Sequence, residues 1–342
     1  MKVAVCLPQV PFVRGGAEIL ADGLVEQLQE RGHEATLVTV PYRWYPNPRV
    51  LTNAMMWRLV ELDESQGRPI DLVIATKFPS YVVRHPNKVV WLVHQFRQAY
   101  ELDGTEYAQF GPEPADRATR RAVHRLDRKT LGEARRLFAI SRNVANRLHE
   151  STGMDAEVLL PPPQPLAYRC DAYGDFVVSV GRLDAAKRVD LLLRAAAGPS
   201  RLDVVVVGDG PERERLESLA TSLGLNGRVR FTGRIGGDEL AELYATCLAV
   251  YYAPLDEDFG LVPYEAFLAE KPVITTHDAG GPLEAVADRA TGIVVESSPA
   301  AVAEGLQWLE HNRDRAAELG RRGRALAETV TWERVIERLL AP

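Results

Sequence analysis

Short runs rich in Val, Ile and Leu recur along the chain, separated by stretches whose apolar positions repeat at helical spacing. In the first half the runs are KVAVCL (2–7), EATLVTV (34–40), DLVIAT (71–76) and KVVWLV (88–93). Continuous rather than alternating apolarity predicts strands buried on both faces, as in a parallel sheet. Between the first two, AEILADGLVEQLQERG reads as an amphipathic helix with Gly32 at its C-terminal cap. Strand, helix, strand is a right-handed crossover, and a series of them builds a doubly wound sheet.

The pattern breaks at VLLPPPQPLAYRC, where Pro161, Pro162, Pro163 and Pro165 exclude helix and central strand and predict a stiff linker. It then restarts with DFVVSVG (175–181), LDVVVVG (202–208), RVRFTG (228–233), CLAVYYA (247–253) and PVITT (272–276). The expected architecture is α/β, with two Rossmann-like doubly wound domains over 1–165 and 166–330 facing across a cleft. A terminal helix over 331–342 is expected to pack back on the first domain. Ligands of open α/β sheets sit at the carboxyl ends of the strands, so two facing sheets would share one site.

Composition adds little: 46% hydrophobic and 26% charged residues suit a soluble globular enzyme. Cys6, Cys170 and Cys247 have no metal-ligand spacing and read as small buried hydrophobes in a reducing compartment. MKVAVCLPQVPF is too short and too soon interrupted by proline for a signal peptide, and no run approaches the ~18–20 apolar residues of a membrane span. A cytoplasmic location is expected. The net charge of −6 argues against a nucleic-acid partner, yet residues 117–147 hold ten Arg and Lys against Asp127 and Glu133. A stripe this basic calls for a polyanion, either an anionic membrane surface or a phosphate-bearing ligand. Arg121, Arg125, Arg128 and Lys129 would share one helix side, with Ala122, Val123, Leu126 and Thr130 facing the sheet. The segment 117–136 thus reads as a peripheral contact with the inner membrane face or, more blandly, as a solvated helix face.

Three segments of the second half carry candidate chemistry. In SVGRLDAAKRVD a strand ends at Gly181 and leads to Arg182 and Lys187, two cations suited to a diphosphate but equally readable as surface charges. VVGDGPERERL lacks the third glycine of a dinucleotide fingerprint and is explained as well by a tight turn before a helix. APLDEDFGLVPYEAFLAEKPVITT places Glu257 in a loop after a strand. Gly260 frees the backbone there, and a helix runs from Pro263 to about Lys271 with Glu265 inside it. The N–H groups around Gly260 to Val262 would point at an anion, and carboxylates nearby would accept from sugar or ribose hydroxyls. A packing or capping glutamate is the bland reading of Glu265. The acidic triplet Asp256-Glu257-Asp258 could be a metal site, but no second acidic cluster completes an octahedral set, and no metal is expected.

GRLDAAKR, VVGDGPERERL, VRFTGRI and EDFGLVPYEAF followed by THDAGGPLEAV together resemble the retaining GT-B-fold glycosyltransferases of family 4, continuously from about 175 to 300. RGGAE (14–18), His94 after a strand and FAISRNV (138–144) extend the likeness more loosely into the first half. The resemblance implies that Arg182 and Lys187, beside Gly181, bind a donor diphosphate and that Glu265 binds the ribose. Glu257 would hold the transferred sugar, with backbone amides from Phe259, Gly260, Leu261 and Val262. Base recognition would lean on the backbone of Gly233 to Ile235. Gly15 and Gly16 would approach the diphosphate and the acceptor, and His94 the reacting face of the sugar, unless it is only a hydrogen-bonded histidine at a strand end. Asp258 stands where the family usually has glycine, which bears on the sugar and not on the reaction class.

The function this implies is metal-independent transfer of a hexose from a nucleotide-sugar co-substrate to an acceptor hydroxyl, with retention. No cofactor is implied, and the acceptor (a glycan, a lipid-linked sugar or a small molecule) is open. The alternatives are a nucleotide-sugar epimerase or hydrolase on the same fold and a non-catalytic nucleotide-sugar sensor. An oxidoreductase would need a glycine-rich fingerprint that neither RGGAE nor GDGPERE supplies.

Overall fold

A computed structural model describes residues 1–105 and 108–341; Pro342, the last residue of the expected terminal helix, lies outside it. The chain divides into two units, Met1–Pro161 with the terminal helix Trp332–Leu340, and Pro162–Thr331.

The first unit is built on six parallel strands. These are β1 (Lys2–Gln9), β2 (Glu34–Pro41), β3 (Leu72–Ala75), β4 (Lys88–Leu92), β5 (Arg136–Ala139) and β6 (Glu157–Val158), in the order β2-β1-β3-β4-β5-β6. Its helices are α1 (Gly16–Glu30), α2 (Arg49–Leu59), α3 (Pro114–Leu131) and α4 (Arg142–Thr152). Both faces of the sheet are covered, so β1, β3 and β4 are buried almost throughout, as their unbroken apolar runs require. Helix α1 stops where expected: Gly32 sits at φ +80 and its N–H donates to the Gln29 carbonyl. β5 and β6 were not expected as strands, because RLFA and EV are too short and mixed to stand out from their neighbours.

The second unit repeats the plan with β7 (Phe176–Val180), β8 (Asp203–Val207), β9 (Val229–Gly233), β10 (Ala249–Tyr251), β11 (Val273–Thr276) and β12 (Gly292–Val295). They are ordered β9-β8-β7-β10-β11-β12, all parallel. Around them lie α5 (Val189–Ala196), α6 (Arg213–Ser222), α7 (Gly237–Thr246), α8 (Val262–Leu268), α9 (Pro299–His311) and α10 (Arg313–Ala327). This is a GT-B fold. The last helix, α11 (Trp332–Leu340), returns to the first unit. There the Trp332 ring meets Trp91 edge-on at 6.2 Å and covers Gly23, where a Cβ would come within 3.1 Å of the indole.

Two details depart from the sequence reading. Cys6 and Cys247 are buried, but Cys170 is only half-buried and lies 3.2 Å from the Nζ of buried Lys271. On α3 Val123 and Thr130 are buried as expected, but Ala122 and Leu126 are only half-buried. Thr119, Asp127 and Leu131 complete the inward stripe, so Asp127 is a core residue. Its Oδ2 accepts from the Tyr100 hydroxyl at 2.8 Å and from the Gln95 amide at 3.3 Å. Among the described residues no helix is long and apolar enough to cross a membrane.

Burial pushes the Asp127 carboxyl up to about 6, although its tyrosine and glutamine donors pull the other way. The folded state therefore holds this proton more tightly than the unfolded chain, and its stabilising effect fades as pH rises through about 6. Asp127→Asn removes the titration at nearly constant size. The variant should gain stability over the parent at pH 7.5, by up to ~3 kcal/mol, and lose about half of that gain at pH 5. Urea unfolding at both pH values measures the difference; an equal difference at the two would contradict the assignment.

Candidate functional site in the second unit

In an open α/β sheet the ligand crevice opens where the strand order reverses. In the second unit that point lies between β7 and β10, so the loops that follow these strands must meet. The loop after β7 runs through Gly181 at φ +152, Arg182 and a short turn at Ala185–Lys187 before α5 begins. The loop after β10 runs from Tyr252 to Leu261 and carries Glu257.

The two loops meet at an ion pair. Lys187 Nζ donates to Glu257 Oε2, and the Tyr252 hydroxyl donates to the same oxygen at 3.2 Å. The ammonium also sits 5.6 Å from the centre of the Tyr252 ring. Burial alone would pull the Lys187 ammonium down; the Tyr252 and Glu257 oxygens outweigh it and hold the group well above the ordinary lysine range. Lys187 is thus a fixed positive charge at the crevice.

Arg188, next along the chain, fixes these loops. Its backbone lies in the left-handed region, at φ +51, and turns the side chain away from that of Lys187. The guanidinium donates to the Ala253 carbonyl (2.8 Å), the Pro254 carbonyl (2.8 Å) and Thr276 Oγ1 (2.7 Å). It also forks onto both oxygens of Asp278 (2.8 and 2.7 Å), which holds that carboxyl far below the usual range. One side chain thereby ties the ends of β10 and β11 to the start of α5. Backbone bonds continue the seam, with Asp256 N–H on the Asp278 carbonyl, Glu257 N–H on Ala279 and Gly281 N–H on Glu257. The seam explains the paired glycines of DAGG, since a Cβ on Gly281 would sit 2.6 Å from the Phe259 Cα. Gly260 is at φ +84, and a side chain there would strike the Tyr252 ring at 2.7 Å.

Glu265 belongs to a different environment. Helix α8 ends at Leu268, short of the expected Lys271, because Glu270 turns to φ +56 and the Lys271 side chain dives into the core. Glu265 lies in its first turn, where burial raises its carboxyl and the Tyr244 hydroxyl donates to it at 2.8 Å. The two glutamates therefore have separate partners.

Arg182 is exposed and makes no ion pair among the described residues. Phe259 is buried with its ring stacked on Tyr264 at 4.9 Å, so only its backbone is left to a ligand. Leu261 and Val262 are half-buried at the start of α8. Gly233 is buried at φ +71, its carbonyl accepting from Gly208 N–H at 2.8 Å, and Ile235 is half-buried just beyond.

In the first unit His94 follows β4, half-buried, with Nδ1 2.6 Å from the Gln95 carbonyl. The Gly15 N–H is already taken by Glu18 Oε2 at 2.9 Å, and Glu18 pairs with Lys77 at 2.9 Å; Gly16 has open space around it. Among the described residues no three His, Cys, Asp or Glu side chains converge as a metal-ligand set. Arg188 and Tyr244 escaped the sequence reading because their partners lie many residues away, and Tyr252, five residues before Glu257, because it sits in an apolar strand run that reads as core.

Residues 171–326 match the family described as glycosyl transferases group 1. The chain is 31% identical over 285 residues to a D-inositol 3-phosphate glycosyltransferase of Salinispora tropica, covering 73% of this chain and 58% of that protein. It is likewise 31% identical to the enzyme of that name from Nocardia farcinica, covering 73% of this chain and 61% of that one. The chain thus spans about six-tenths of the length of these two relatives. Among solved structures, sucrose-phosphate synthase from Thermosynechococcus elongatus superposes with a TM-score of 0.79 at 20% identity, over 99% of this chain and 97% of that one. Anabaena HepE in complex with UDP-glucose gives 0.71 at 18% identity, over 100% and 98%. These likenesses support a GT-B glycosyltransferase of group 1.

Removing the Arg188 fork should be costly, because carbonyls and a carboxylate lose their donors together. Arg188→Met is expected to destabilise the second unit by ~2–4 kcal/mol, whereas Arg182→Met should leave the urea midpoint within error. Equal midpoints for the two variants would show that Arg188 does not hold the loops.

Proposed function

We propose that this GT-B chain, whose second unit matches the glycosyl transferases group 1, transfers a hexose from a nucleoside-diphosphate sugar to an acceptor hydroxyl. The transfer proceeds with retention and without a metal ion. The observation that carries the reading is the Lys187–Glu257 pair at the strand-order reversal of the second sheet, held by the Arg188 seam.

Breaking the bond between the sugar and the diphosphate leaves negative charge on the leaving phosphate, and cations aimed there lower the barrier most. Lys187 is half-buried, charged and held by its partners; Arg182 is exposed and free to close on the same phosphate. A diphosphate brought against Lys187 takes over from Glu257 as its counter-ion and leaves that carboxylate to accept from sugar hydroxyls. Charge-assisted bonds contribute roughly 1.5–3 kcal/mol each, so two cations supply several decades of rate. Glu265, raised toward neutrality and held by Tyr244, is assigned to the ribose. In the first unit Gly15, Gly16 and His94 are assigned to the acceptor and the reacting face, following the resemblance. For retention, the acceptor oxygen bonds to the anomeric carbon on the face the diphosphate leaves, and the acceptor proton passes to a donor phosphate oxygen.

Turnover of nucleotide sugars should persist in EDTA; loss on chelation with recovery in Mn²⁺ would overturn the metal-free reading. The two glutamates should also separate. Glu265→Ala is expected to weaken binding of the free nucleoside diphosphate about tenfold or more, while Glu257→Ala should spare that affinity and lower kcat. Calorimetry with the diphosphate and steady-state kinetics measure both, and equal loss of diphosphate binding in the two variants would contradict the division.

A further inference from the structure

The basic helix α3 does not stand alone on its face of the first sheet. Helix α2 lies beside it in the same direction, pinned at both ends. Asn47 donates to Asp116 at 2.7 Å near the two N-termini, and Arg58 forks onto Glu133 (2.6 and 2.5 Å) near the two C-termini. The outward side of α3 presents Arg117, Arg121, Arg125, Arg128 and Lys129, all exposed and making no ion pair among the described residues. The outward side of α2 presents Thr52, Met55, Met56 and Leu59, at helical spacings of three, four and seven from the first. Met55, Met56 and Leu59 are 49%, 42% and 79% exposed, and the loop leading into α2 adds Trp44 and Tyr45. This pairing could not be read from the basic segment alone, which has few apolar residues of its own.

We propose that the joined outer faces of α2 and α3 dock on an anionic phospholipid bilayer. The cations meet the phosphate headgroups, and Met55, Met56, Leu59 and Trp44 enter the interfacial layer beside them. A cationic row on one helix and an apolar row on the helix beside it distinguish a bilayer from a nucleic acid or an acidic protein, which would use the cations and leave the methionine and leucine row in water. Exposed Arg43 and Arg49 extend the positive field toward the start of α2. The acids nearby do not cancel it: Glu133 is paired with Arg58, while Asp116, Glu113, Glu61 and Asp63 are few and sit at the helix ends. The docking is independent of the transfer chemistry proposed above.

Co-sedimentation of the full chain with phosphatidylglycerol and phosphatidylcholine vesicles tests this. The chain should bind the anionic vesicles in 50 mM salt, release in 500 mM salt and ignore the neutral ones. Each cation near an anionic surface is worth about fivefold in partitioning, so Arg121→Glu with Arg125→Glu should lower binding at least ~20-fold. Met55→Ser with Leu59→Ser should lower it about tenfold. Both variants should keep the parent's unfolding midpoint; if either does not, the salt series and the lipid comparison on the unmodified chain decide. Absence of binding to anionic vesicles, or equal binding to both, overturns the proposal. Full binding by the methionine and leucine variant also overturns it, in favour of a purely electrostatic polyanion site.

Discussion

The candidate site hangs on the way Arg188 leaves the helical path. Its left-handed backbone sends consecutive side chains, Lys187 and Arg188, to different destinations. The first goes to the crevice and the second to the carbonyls and the Asp278 carboxylate that end β10 and β11. A non-glycine residue at positive φ costs energy, and the strain persists only where surrounding contacts over-determine it. Here the guanidinium fork supplies those contacts. Take it away and the loop bearing Glu257 loses its fixed distance from Lys187.

That arrangement gives the crevice a fixed polarity. Lys187 is charged because the Tyr252 oxygen and the Glu257 carboxylate lie against it, and the carboxylate keeps a half-buried cation from being an uncompensated cost. Glu265 works by the opposite balance, its burial outweighing its single tyrosine donor. Two glutamates in one loop-and-helix segment thus acquire different chemistry from their surroundings, an arrangement suited to holding two different groups of one ligand.

Much of this was open to reading from the sequence. The runs around β1, β3, β7 and β8 are so uniformly apolar that they admit few alternatives, and the proline cluster at 161–165 marks the join of the two units. Lys187 and Glu257 could be singled out because each follows a strand end. Arg188 could not, since its partners lie in loops 65 to 90 residues further on. Asp127 was within reach: it lies four residues after Val123 and three before Thr130, on the inward stripe, but a charge count hides a buried acid among surface cations. β5, β6 and β12 were missed because short strands borrow their stability from neighbours and carry little pattern of their own.

The central claim is that the crevice between β7 and β10 binds a nucleoside diphosphate through Lys187. A thermal-shift series with the uridine, guanosine and adenosine diphosphates, their monophosphates and the corresponding nucleotide sugars tests it most directly. Ligand at 100 times Kd adds about 2.7 kcal/mol to the folded state. One diphosphate and its sugar conjugate should therefore raise the unfolding temperature by several degrees, its monophosphate should do far less, and Lys187→Ala should abolish the difference. No shift with any of these ligands, or a diphosphate shift unchanged in Lys187→Ala, would contradict the account.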